Sequence, residues 1–153
     1  MTVEIQPAPG QFVRNTDEGA IQILVSRRKE LPGKGFVESD LVPTRADSQE
    51  NEFVDFRVPV VRRSAEAVVA SRNLTQTQVA TELMRHAHRE IKEQTQPVGL
   101  QKASEVAFNT KGDVTGQAIF LAAMLRSRGI PSRLAIGIKY LPGDPDRMIY
   151  HVW

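Results

Sequence analysis

Lys111-Gly112-Asp113-Val114-Thr115-Gly116-Gln117-Ala118 runs on through Ile119-Phe120-Leu121-Ala122-Ala123-Met124-Leu125-Arg126 to Gly129-Ile130-Pro131, and its reading decides the fold. Asp113 stands directly before an apolar run. Its carboxylate can accept the free N–H groups of Thr115 or Gly116, so it reads as a helix N-cap. From about Thr115 to Arg128 nearly every position is apolar, and a helix apolar on every face is normally buried. Gly129 suits the left-handed residue just past a helix end, and Pro131 forbids continuation. One segment thus carries the start, the surroundings and the stop of a central helix.

Downstream, Leu134, Ile136, Ile138 and Tyr140 alternate with smaller or polar neighbours over Arg133 to Tyr140, which is strand period. Leu141-Pro142-Gly143-Asp144-Pro145-Asp146 is a turn cluster, and Met148 to Trp153 is expected to be the antiparallel partner strand. Upstream, Val79, Leu83, Ala87 and Ile91 recur at four-residue intervals between Thr75 and Gln94. That spacing predicts an amphipathic helix capped by Thr75 or Thr77 and stopped by Pro97 and Gly99. Ser64, with Glu66 close behind, reads as the cap of a shorter helix on the stripe Ala65, Val68 and Val69. Val42 to Glu52 is polar and reads as loop. Gln11 to Arg14 and Ala20 to Ser26 are strand candidates, with a turn at Leu31 to Gly35. The expected class is α+β: a β-rich extension over 1–40 and a core of helices packed on an antiparallel sheet over 41–153.

The 153 residues suffice for one sizeable core. Twenty cations face 18 anions, and no basic run exceeds Arg27-Arg28-Lys29, so nucleic acid is not an expected partner. No apolar stretch approaches membrane-spanning length, and the N-terminus lacks the pattern of a signal peptide. A cytoplasmic protein without membrane contact is the default expectation. The chain holds no cysteine, which removes disulfides, cysteine metal sites and any thiol nucleophile together. No cofactor or metal is expected. His86 and His88, two apart on a helix, point about 200° from one another and cannot share an ion.

Gly112, Asp113, Ala118, Leu121, Ala122, Ala123, Leu125, Arg126, Gly129, Ile130, Pro131, Arg133, Tyr140, His151 and Trp153 fall in an order that resembles the transglutaminase-like superfamily. Such domains have a papain-like cysteine-enzyme core. The resemblance implies a nucleophilic cysteine at the first turn of the central helix, where the helix dipole and free N–H groups lower a thiol pKa and cradle an oxyanion. It implies a histidine on a facing strand to take the thiol proton, and an aspartate on the next strand to orient it. Val114 occupies the nucleophile position, and a valine has no lone pair with which to attack a carbonyl. His151 occupies the base position, and its imidazole is expected to face position 114. The aspartate would belong beyond Trp153, so the core is expected to be truncated after the histidine strand.

Two further departures accompany the missing thiol. Gly116 and Gln117 stand where the family commonly has a Glu-His or similar pair, and a glycine inside a helix costs about 1 kcal/mol relative to alanine. His86 precedes Ala87-His88-Arg89-Glu90-Ile91 where many members have a tryptophan. Thr115, the hydroxyl beside position 114, is turned about 100° around the helix from the nucleophile position. The expected function is therefore a catalytically inactive transglutaminase-like domain. Alternatives are a peptide- or protein-binding module that uses the vacated cleft, and a fragment of a cysteine protease or amidase. Tyr150 and Trp153 read as core or edge-strand aromatics. The edge of the last strand lacks Pro and Lys and is expected to invite self-association.

Overall fold

The computed structural model describes residues 11–17, 19–25, 42–70, 73–93, 99–143, 145 and 147–153. The turn expected at Leu31 to Gly35, and Pro97, lie outside the described residues. The chain divides into two units, Met1–Val42 and Pro43–Trp153. In the first, β1 (Gln11–Asn15) pairs antiparallel with β2 (Ile21–Val25), with Phe12 opposite Leu24 and Arg14 opposite Gln22. Gly19, at φ +77°, takes the left-handed conformation that reverses the chain, and the Thr16 N–H closes the turn on the Ala20 carbonyl at 2.7 Å.

The second unit holds, among the described residues, four α-helices and two short sheets. Helix α1 (Pro59–Val69) begins five residues before the expected start at Ser64. Proline is pre-organised for the first helical position, where its missing N–H has no partner to lose. Ser64 lies inside the helix, its hydroxyl donating to the Val60 carbonyl at 2.9 Å. Val61, Ala65 and Val69 form the buried stripe.

Helix α2 (Gln76–Glu90) starts where the sequence indicated: the Gln78 N–H donates to the Thr75 hydroxyl, and the Thr75 N–H donates back to the Gln78 side chain at 2.9 Å. It ends four residues before the expected Gln94. Ile91 is already extended, and the Lys92 N–H donates to the Thr110 carbonyl at 3.0 Å, drawing β3 (Lys92–Glu93) into a parallel pair with β4 (Lys111–Gly112).

Helix α3 (Ala103–Asn109) was not expected from the sequence. Its start is held by distant groups: the Ala103 N–H donates to the Phe53 carbonyl at 2.8 Å, and Asp55 accepts from the Ser104 N–H and hydroxyl. Helix α4 (Val114–Ser127) runs through the middle, with α1, α2 and α3 packed around it. Phe120, Ile119, Met124 and, from α2, Leu83 are fully buried. Each such side chain contributes about 1.5–3 kcal/mol by leaving water. At its end the Gly129 N–H reaches the Arg126 carbonyl (3.0 Å) and the Ile130 N–H the Leu125 carbonyl (2.9 Å), with Gly129 at φ +73°. This is the paired closure by which a left-handed glycine satisfies the last carbonyls of a helix.

Strands β5 (Ile136–Leu141) and β6 (Arg147–Val152) are antiparallel, with Ile136 opposite Val152 and Ile138 opposite Tyr150. Ala135 and Trp153 extend the ladder by exchanging two backbone hydrogen bonds at 2.9 and 3.1 Å. Tyr150 is 81% exposed and Trp153 53% exposed, so these are ribbon aromatics and not core residues. The ribbon meets the central helix through β6.

Candidate functional site

The site is built around the first turn of α4. Asp113 is extended, and its Oδ1 accepts the Gly116 N–H at 2.8 Å, as its place before the apolar run led us to expect. Val114 is the first residue of the helix and is 41% exposed. The close approach of α3 fixes this turn. A Cβ at Gly112 would meet Ile91 Cγ2 and Val106 Cγ1, each at 3.4 Å. A Cβ at Gly116 would lie 3.2 Å from both Val106 Cγ2 and Gln101 Oε1. Gly116 is thus a packing residue. Its helix-propensity cost is offset by the close contact it permits, which a reading of α4 in isolation misses.

Val114 opens onto a cleft of about 440 Å³ between α2, α4 and the end of β6. Its walls are apolar, formed chiefly by Ala118, Leu121 and Leu125 of α4 with Leu134, Val152 and Trp153. Arg85, His88, Gln117 and Arg133 add polar groups, and no carboxylate stands among the described lining residues. Gln117 is partly committed, its amide donating to the Ile91 carbonyl at 3.4 Å. His88 lines this cleft while His86 lines a separate pocket with Arg63 and Glu90, in keeping with their opposed directions on α2.

His151 pairs across the ribbon with Gly137 and is half-buried. Its ring meets Trp153 edge-on, with centroids 4.7 Å apart and planes at 69°. Trp153 lies over Gly137, where a Cβ would come within 3.1 Å of the indole. The β6 wall of the cleft next to Val114 is made by Val152 and Trp153, and His151 does not line it. Val114, Val152 and Trp153 thus line one cleft.

The model of the transglutaminase-like superfamily fits residues 63–153. The chain belongs to the transglutaminase-like superfamily. No curated protein and no solved structure matches it. The chain has no cysteine, so this superfamily domain holds no thiol nucleophile.

The sequence alone did not reveal the ionic staple that ties this transglutaminase-like core together behind the cleft. Asp47, buried in the 3₁₀ turn Arg45–Ser48, accepts from the Arg133 guanidinium at 2.7 and 2.8 Å and from Thr44 N–H and hydroxyl at 2.6 and 2.9 Å. Arg133 foremost, then Thr44, holds the Asp47 carboxyl well below the usual carboxylate range, against the opposing effect of burial. The buried Arg126 donates to the carbonyls of Gln49 and of Ser132, the latter at 2.7 Å, so two arginines fasten the 43–49 segment to the end of α4. These partners lie 77 and 86 residues apart in the chain, and no local pattern signals them.

Proposed function

We propose that this is a catalytically silent transglutaminase-like domain whose cleft beside Val114 binds a peptide segment without turning it over. The observation that carries the reading is Val114 itself: it is the first residue of the central helix, it opens into an apolar cleft, and it belongs to a chain without cysteine. Acyl transfer by this family's route needs a thiolate at that point, and neither valine nor the rotated Thr115 hydroxyl supplies one. His151, at the base position, then has no proton to accept and serves as a packing partner of Trp153.

A cleft with apolar walls and a few polar groups is the usual form of a binding site. Leu121, Leu125, Leu134 and Trp153 favour apolar side chains, while Arg85 and Arg133 beside them are already paired with Glu82 and Asp47. The ligand class is thus a short apolar segment. A peptide array followed by titration of the best binder tests this, with Ala118→Trp filling the cleft as the control. Saturable binding that Ala118→Trp abolishes in a folded protein is the expected result. Absence of saturation, or equal binding by the variant, would refute the binding reading.

A further inference from the structure

The β5–β6 ribbon carries an apolar face whose Val152 end lines the cleft and whose outer part is exposed. The register places Ile136 beside Val152, Ile138 beside Tyr150 and Tyr140 beside Met148, all on one side. Ile136, Met148 and Tyr150 are 76%, 66% and 81% exposed, and Ile138 and Tyr140 about half. None of the six carries a charge, whereas Lys139, Arg147 and His151 all fall on the other side. Together the exposed residues present on the order of 600–700 Å² to solvent. That exceeds the roughly 300–600 Å² of the largest patch on an ordinary monomer. It approaches the roughly 800 Å² per partner of a standard interface.

We propose that two copies of the chain associate through this face, ribbon upon ribbon, about a two-fold axis. A two-fold contact sets one patch against itself, so a charged patch would meet its own charge and an uncharged one meets no such repulsion. A flat, pleated, apolar surface suits another such surface, since sheets stack face to face at about 10 Å with side chains interdigitated. The two tyrosines can bury their rings while their hydroxyls stay in water at the margin. None of these five exposed residues lines the cleft beside Val114 or the pocket beside His86.

Sedimentation velocity over about 1–100 μM tests the proposal, since interfaces of this size are at their weakest near the micromolar range. A dimer is expected whose dissociation constant rises at least tenfold in Tyr150→Lys and again in Ile136→Lys. Lys139→Glu, on the opposite side of the same ribbon, should leave it unchanged, with circular dichroism checking that each variant is folded. A folded monomer at every concentration would overturn the proposal. So would a dimer indifferent to both lysine substitutions, which would move the contact to a strand edge, and a dimer lost equally in Lys139→Glu.

Discussion

Gly116→Ala separates two opposed effects whose sizes can be read from the structure. On a bare helix, alanine in place of glycine stabilises by about 1 kcal/mol, because the unfolded glycine has more freedom to lose. In this helix the added methyl arrives 3.2 Å from Val106 Cγ2 and Gln101 Oε1. The glutamine side chain can swing aside. Val106 cannot: it is fully buried in α3, and its other methyl already stands 3.4 Å from the Cβ position of Gly112. Overpacking of this kind costs about 1–3 kcal/mol, so against the gain of about 1 kcal/mol the balance runs from about zero to a net loss of about 2 kcal/mol. Urea denaturation of the two proteins at neutral pH reads it directly. In a double-mutant cycle Val106→Ala should relieve the strain, with a coupling above about 0.5 kcal/mol. Stabilisation by Gly116→Ala near the full propensity gain would refute the packing account of the first turn.

Two other outcomes follow from groups beside the cleft. Asp113→Ala, which frees the Gly116 N–H, should cost about 1 kcal/mol in the same urea assay, and an unchanged midpoint would remove the cap from the account. The acid limb of stability should carry the signature of Asp47. Arg133 depresses its folded-state carboxyl below the unperturbed 3.8, so its contribution is complete above about pH 4 and is lost as pH falls through the folded value. The urea midpoint should therefore fall more steeply with acid in the wild type than in Asp47→Asn, and equal slopes would contradict the staple.

What the sequence could show, it showed through local chemistry. Thr75 with Gln78, Asp113 with Gly116, and Gly129 with Ile130 each make their bonds within a few residues, so the starts of α2 and α4 and the end of α4 were legible. The alternation around Ile136 and Ile138 gave the ribbon and its partner. Helix α3 was not legible because it spans seven residues and is anchored by Phe53 and by Asp55, the latter 49 residues from its partner Ser104. The end of α2 was misplaced for a similar reason, since the Thr110 carbonyl captures Lys92 before the helical pattern runs out. At the site, the Asp113 cap was recognisable from its place before the apolar run. The role of Gly116 was not, because it depends on Val106 approaching from another helix.

The most direct measurement of the central claim is turnover by the unmodified protein, followed as amine incorporation, glutamine deamidation and peptide hydrolysis beside a His151→Ala control. A domain in a chain without cysteine should give the same background rate as the control in all three. A rate above that control in any of them would contradict a silent domain.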